Sequence, residues 1–362
     1  MQTINIFFYI FLLILNFFLF FYNKKISEIL NIIDIPDNKR KLHKSPASLS
    51  GGLFLYCNII FLFFFSFYFN NKLINFFFIK SDLDFIFFIL ILTSFFFCGF
   101  VDDKIKLRSS NKLILIIFTC YLLISSFDEL LISELKTDFF SKKILSPKAS
   151  TLLTILGLVT LIVILNLYDG LNLQSVIYYF LIFVYFFLKL PSMLDLTLLV
   201  TLLIFFIFFS YYNYKGRVFI GESGVMLISI ILFFCCVNLY KSSDAIVLQE
   251  LILLFFLPLV DAVRLFFKRI LNNQSPLNGD LNHLHHKLLL SFNYNKTIMI
   301  LFLFQFLTII SIIFFKNYNS LIIVNILFYI FLLFKKKNKI LLKIYFLYLL
   351  INFFLSLNQR LA

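Results

Sequence analysis

Apolar runs recur along this chain from Phe7 to Phe354, and many reach the length of about twenty residues that a helix needs to cross the hydrocarbon core of a bilayer. One such run would make an anchor for a soluble domain. A succession of them, parted by short polar gaps, makes the bilayer the solvent that sets the folding rules. Composition agrees. Of 362 residues 62% are hydrophobic and 14% charged, with 55 Phe and a mean hydropathy of +0.99; an ordinary soluble domain has roughly 25% charged residues. A globular enzyme on a single tether is excluded.

The expected fold is an all-α polytopic membrane protein of about eleven helices, within a range of ten to twelve, forming a single integral-membrane domain over 1–362. The runs place helices near 4–22, 51–69, 83–101, 111–127, 150–168, 173–190, 193–210, 219–240, 245–267, 297–315 and 318–334, with a twelfth near 340–356. The first run has no basic residue before it and no small-residue cleavage site after it, so it reads as a retained span. The abundant Phe reads as lipid-facing filler. Cys57, Cys98, Cys120, Cys235 and Cys236 all lie in apolar runs without paired loop spacing, which gives neither a disulfide framework nor a zinc site.

Net charge is +14. In a soluble chain that would suggest nucleic acid, but in a polytopic chain basic residues mark cytoplasmic loops, so no nucleic-acid partner is expected. With the first helix starting outside, segments 23–50, 102–112, 169–172, 211–218, 268–296 and 335–339 share one face. They hold more than twice as many Lys and Arg as the loops opposite, which makes theirs the cytoplasmic face. Such a face also attracts anionic headgroups and phosphorylated substrates.

Polar chemistry gathers in the same segments. Asp102-Asp103 ends the third run and is followed by Lys112; two adjacent acids call for a nearby cation, of which Mg²⁺ is the natural candidate. Asn166 and Asp169 stand three apart, hence on one helix surface, before Gly170 and Asn172. Helix capping is the plainer reading of those residues. Gly221-Glu222-Ser223-Gly224 opens the eighth helix, where backbone N–H groups can face a phosphate, or where glycine can serve close helix packing. His283, His285 and His286 crowd one loop, with His43 in the first. They read as donors to phosphate or sugar oxygens; a transition-metal site lacks an accompanying Cys, and a plain surface loop is the bland alternative.

Taken in order, these stretches resemble the polyprenyl-phosphate N-acetylhexosamine-1-phosphate transferase family over about residues 34–290. The resemblance is carried by Asp34-Ile35-Pro36, Arg40-Lys41-Leu42-His43, Pro46 and Gly51-Gly52; by Gly99 to Asp103 with Lys112; by Asn166 to Leu171; and by Pro258, Asp261, Arg264, Arg269, Ser275-Pro276, Asp280 and His283 to His286. Five positions depart from it. Asn172 and Leu173 stand where the family has D-G, Glu222 and Val225 replace an Asp and a Ser, and Leu281 replaces a frequent Arg.

The resemblance implies transfer of N-acetylhexosamine 1-phosphate, with N-acetylglucosamine the expected sugar, from a UDP-N-acetylhexosamine to polyprenyl (undecaprenyl) phosphate, with release of UMP. Asp102 would be the base, Asp103 its positioning partner, and Lys112 a charge for phosphate. Glu222 and Asn166 would hold Mg²⁺, with Mn²⁺ as a substitute; Asp169 and Asn172 would meet the nucleotide, and His283, His285, His286, Arg264 and His43 the sugar-phosphate end. The resemblance also implies a bacterial cytoplasmic membrane with the active site facing the cytoplasm, and it is compatible with a homodimer. Rival readings are a phospho-N-acetylmuramoyl-pentapeptide transferase and a non-catalytic polytopic lipid or glycolipid transporter. Transporters place charge near the bilayer midplane, whereas here mid-span charge is confined to Glu250, Asp261 and Arg264.

Overall fold

Each apolar run up to residue 334 is a helix or a pair of helices in the computed structural model, which describes residues 2–36, 45–69, 71–137, 140–190, 194–242, 246–276, 280–315 and 317–334. The expected span near 340–356 lies outside the described residues, as do Arg40, Lys41, Leu42 and His43. In order, the helices are α1 (Gln2–Phe21), α2 (Asn23–Leu30), α3 (Gly51–Phe69), α4 (Asn71–Phe76), α5 (Asp82–Ile105), α6 (Ser109–Ser126), α7 (Pro147–Tyr168), α8 (Gln174–Lys189), α9 (Leu196–Tyr214), α10 (Gly221–Ser242), α11 (Leu248–Leu254), α12 (Phe256–Leu271), α13 (Leu284–Ser291), α14 (Tyr294–Phe314) and α15 (Tyr318–Phe334). Four short strands make two ribbons: β1 (Ile33–Asp34) with β2 (Ala47–Ser48), and β3 (Glu134–Thr137) with β4 (Phe140–Ile144). The protein is an all-α polytopic membrane protein. Among the described residues eight helices are long and apolar enough to cross a membrane, while α8 and α15 are shorter apolar helices.

Local signals set the helix starts. Ser81 and Asp84 form a reciprocal capping box at α5. Ser146 accepts from the Ala149 N–H just before Pro147 opens α7, Asp195 caps α9 and Asn293 caps α14.

The ninth run is not one continuous span. It breaks at Phe255 into α11 and α12, and the reason is Pro258, which has no N–H to give the Leu254 carbonyl. That carbonyl accepts from Gln305 Nε2 at 3.0 Å. Inside a membrane that replacement matters, because no water can serve the group.

The chain divides into two compact units, Met1–Glu134 with Ile144–Ser242, and Leu135–Lys143 with Ser243–Ala362. In the first, α10 is almost wholly buried and packs against α3, α5, α7 and α8. Asn16 of α1 and Asn58 of α3, both fully buried, exchange side-chain amide bonds of 2.6 and 3.0 Å. Phenylalanine here is more than lipid-facing filler. Phe63, Phe77, Phe88 and Phe234 are buried with ring centroids 4.6–5.7 Å apart, the spacing of favourable edge-on and tilted aromatic contacts. A bundle this wide has an interior to fill, and large rings fill it. In the second unit, α14 and α15 are joined by Thr308 donating to Asn325 at 2.8 Å, and Tyr318 donates to Glu250 at 3.0 Å.

Candidate active site

In the first unit glycine lets three helices meet. A Cβ on Gly52 of α3 would lie 2.2 Å from Ser223 Oγ, and one on Gly99 of α5 would lie 2.4 Å from the Ser223 backbone. Only a residue without a side chain allows so close an approach. The glycines that flank the acidic motifs are therefore packing residues, and they bring the C-terminal end of α5 against the N-terminal end of α10.

That contact decides what Asp103 does. Its Oδ1 accepts from the Glu222 N–H at 2.7 Å, and its Oδ2 accepts from the Ser223 N–H at 3.1 Å and from Ser223 Oγ at 2.7 Å. A carboxylate from one helix thus caps another, where the N-terminal dipole favours negative charge. The sequence suggested that these N–H groups could face a phosphate; those of Glu222 and Ser223 are taken by Asp103 instead. Ser223 was not singled out from sequence, because its role exists only once α5 and α10 touch.

Asp102 and Glu222 are linked through Lys112. The ammonium, on the first turn of α6, lies 2.5 Å from Glu222 Oε1 and 3.2 Å from Asp102 Oδ2. Asp102 Oδ1 accepts from the Leu107 N–H at 2.7 Å, where the chain leaves α5. All three side chains are largely buried, so this pair of ion contacts is held in geometry that a surface lysine would not keep. Near the same end of the unit, Lys106 lies 3.8 Å from Asp34.

The Asn166–Asn172 stretch follows α7. Asn166 is in the last turn of α7 and Asp169 is its C-cap residue, its N–H donating to the Asn166 carbonyl. The Asp169 carboxyl accepts from Ser175 Oγ at 2.5 Å, and burial, then the charge of Glu222, push it up to about 6 while the Ser175 bond works the other way. The break in the chain does not rest on Gly170. Leu173 adopts the left-handed conformation, φ +64°, with its N–H held by Asn213 Oδ1 at 2.6 Å; Asn213 Nδ2 in turn donates to the Val218 carbonyl at 2.9 Å. The family-like glycine is absent at the very position whose backbone would favour it. Asn213 was missed from sequence, although a buried amide closing an apolar run is a readable signal.

The second unit has its own cluster, centred on Asp261 of α12. Asp261 Oδ2 accepts from His283 Nδ1 at 2.8 Å; Oδ1 accepts from Arg264 Nη2 at 2.8 Å and from the Tyr329 hydroxyl at 2.6 Å; and the carboxylate caps the first N–H of α13, that of Leu284. Arg264 also donates to the Asn282 carbonyl and to Tyr329. Arg269 donates to Asp280 at 3.1 Å and to the Pro276 carbonyl at 2.8 Å. The three imidazoles lie together, His283 stacked on His285 at 5.4 Å and His285 beside His286 at 4.2 Å. Burial and then the neighbouring imidazoles hold His285 well below the usual histidine range, and burial followed by His283 lowers His286. Both are neutral at physiological pH. His285 Nε2 and His286 Nδ1 are buried without a hydrogen-bond partner.

Among the described residues no three His, Cys, Asp or Glu side chains form a metal cage. The donors at the α5–α10 junction are hard oxygens, and Mg²⁺ needs only one or two carboxylates when substrate phosphates complete its shell. The residues therefore fit an ion finished by substrate and do not fit a closed protein site.

Residues 85–240 match the family model described as Glycosyl transferase family 4. The chain is also 24% identical, over 84% of its own length and 84% of the other, to a protein of Bacillus subtilis (strain 168) named "Probable undecaprenyl-phosphate N-acetylglucosaminyl 1-phosphate transferase". The matched stretch runs from α5 through α10 and so contains Asp102, Asp103, Lys112, Asn166, Asp169 and Glu222. Over residues 85–240 the chain is similar to glycosyl transferase family 4.

Proposed function

We propose that this enzyme transfers N-acetylglucosamine 1-phosphate from UDP-N-acetylglucosamine to undecaprenyl phosphate, giving the polyprenyl diphospho-sugar and UMP and so starting a cell-envelope glycan. At the coarser level the chain is a multi-pass membrane enzyme of sugar-1-phosphate transfer, as its family and its relative support. The observation that carries the finer reading is the Lys112 bridge between Asp102 and Glu222. Reaction between two anionic phosphates requires neutralisation of charge and alignment more than it requires covalent chemistry. A buried cation held by two carboxylates from two other helices is suited to that task.

The roles divide by what each side chain already does. Asp103 is committed to the α10 cap, which leaves Asp102 to take the proton of the lipid phosphate, its orientation held by Leu107 and Lys112. Lys112 supplies a point charge to a phosphate. Glu222 and Asn166 would hold Mg²⁺, which when bound supplies Lewis-acid neutralisation of the diphosphate. Asp169 and Asn172 meet the nucleotide, while Arg264, His283, His285 and His286 meet the sugar-phosphate end. The excess of basic residues on one set of loops supports a cytoplasmic orientation for this end of the enzyme. Acids at helix ends, together with the relative's name, favour this reading over a pentapeptide transferase or a transporter.

The test is UMP release by the detergent-purified protein with a long-chain polyprenyl phosphate, comparing UDP-GlcNAc, UDP-GalNAc and UDP-MurNAc-pentapeptide, each with Mg²⁺ and with EDTA. Metal-dependent release with UDP-GlcNAc is expected. Release with the pentapeptide donor alone, or with none from folded and monodisperse protein, overturns the proposal.

A further inference from the structure

Tyr329 lies in α15, beyond the stretch that matches the family model and in the mostly apolar C-terminal half of the helix. It is nonetheless a buried polar residue with a defined job. Its hydroxyl donates to Asp261 Oδ1 at 2.6 Å and accepts from Arg264 Nε at 2.7 Å. A phenol has one proton to give and oxygen lone pairs to receive with, and both capacities are used here. Arg264 donates to Asp261 as well, so Tyr329, Asp261 and Arg264 form a closed ring of hydrogen bonds.

The ring reaches the histidines. Asp261 has only lone pairs to offer when ionised, so the His283 nitrogen bound to it, Nδ1, carries a proton and Nε2 is left as the nitrogen that can meet a ligand. The same carboxylate caps α13 at Leu284, which sets where His285 and His286 begin. Two further bonds pin the loop: Arg264 to the Asn282 carbonyl, and Arg269 to Asp280. Without the Tyr329 hydroxyl, Asp261 Oδ1 loses its shortest bond and the Arg264 Nε–H loses its acceptor inside the protein. Charged groups so placed turn towards other partners.

We propose that Tyr329 is a positioning residue for the His loop: through Asp261 and Arg264 it fixes the His283 imidazole and the start of α13, and so sets how tightly the sugar-phosphate end of the donor is bound. This rests on the reading of His283 and Arg264 as donor-binding residues. It makes α15 part of the working enzyme and not only a further span.

Two measurements on the full-length protein separate the proposal from that reading. The first is steady-state UMP release by Tyr329→Phe, with Tyr318→Phe as control; Tyr318 is a second α15 tyrosine whose hydroxyl bonds to Glu250. The second is the imidazole nitrogen NMR spectrum of histidine-labelled protein, simple because the chain has only 4 His. Tyr329→Phe is expected to raise KM for the nucleotide sugar roughly tenfold, the size of a lost hydrogen bond to a charged group, with little change in kcat. It should also shift the His283 Nδ1–H signal, whereas Tyr318→Phe leaves both unchanged. Equal KM changes in the two variants, no KM change in Tyr329→Phe, or a KM change with the His283 signal unmoved overturns the proposal. If the wild-type enzyme releases no UMP, the donor assignment fails and the NMR comparison decides the Tyr329 link alone. Should Tyr329→Phe not fold, Arg264→Lys removes the other end of the same bond and is read by the same signal.

Discussion

Asp103 and Ser223, 120 residues apart in sequence, are joined by two hydrogen bonds from the serine, one from its N–H at 3.1 Å and one from its Oγ at 2.7 Å, both to the same carboxylate oxygen. The adjacent Asp102 instead meets Lys112. One acid of the pair is thus committed to the helix cap, while the other faces a lysine.

The two acids should therefore fail differently. Asp102→Asn is expected to lower UMP release by about 10²–10⁴-fold, the usual worth of a general base, while thermal unfolding in detergent stays near wild type. Asp103→Asn places an amide NH₂ against buried donors and should cost about 1–3 kcal/mol of stability as well as activity. Full activity in Asp102→Asn would remove it from the mechanism.

Glu222→Gln keeps the size of the side chain but removes the charge that faces Lys112 at 2.5 Å. UMP release should be abolished without unfolding, and the lysine should then remain paired with Asp102 alone. Circular dichroism and the release assay on the same preparation check both halves of the statement.

Close helix approach at Gly52 makes Gly52→Ala a severe change, because the added methyl would overlap Ser223 and the Gly224 backbone. Destabilisation of about 1–3 kcal/mol or more is expected from such overpacking. Gly157 provides the contrast: a Cβ there meets nothing within 4 Å, so Gly157→Ala should be neutral or stabilising by up to about 1 kcal/mol. Melting temperatures of the two variants measure the difference.

Asp169 supplies a pH signature. Its carboxyl is raised from 3.8 to about 6 in the folded protein, chiefly by burial, so between those values the folded state holds a proton that the unfolded chain has released. Its contribution to stability is present below pH 4 and is lost as pH rises towards 6. Asp169→Asn, which cannot ionise, should show a smaller fall in melting temperature over pH 4–6 than wild type. Parallel curves would show that Asp169 is not desolvated in the folded state.

Leu173 carries strain at φ +64° that glycine would not. Leu173→Gly should fold without loss of stability, since relief of about 1–2 kcal/mol offsets the greater chain entropy of glycine and the lost side-chain contacts. Leu173→Val should be destabilised. Denaturation of the three proteins under one condition orders them.

Helices were legible because they follow from local physics. Runs such as 51–69 are too apolar for water, and Ser81, Ser146, Asp195 and Asn293 supply the caps at once. The break at Phe255 was also present in the sequence, as Pro258, but reading it required knowing that Gln305 would take the freed Leu254 carbonyl. Candidate site residues could be named from motif order. Their partners could not.

Bilayer solvation acts over a few residues at a time, which is why the amino-acid sequence alone fixes the class of fold and the positions of the long apolar helices. Packing in three dimensions settled that Asp103 caps α10 and Asp102 meets Lys112, that Leu173 bears the left-handed turn, and that Tyr329 closes the ring around Asp261. Those outcomes depend on ion pairs, hydrogen bonds and close approaches of a few ångströms between residues from 10 to 120 positions apart, and no local preference of either segment specifies its partner.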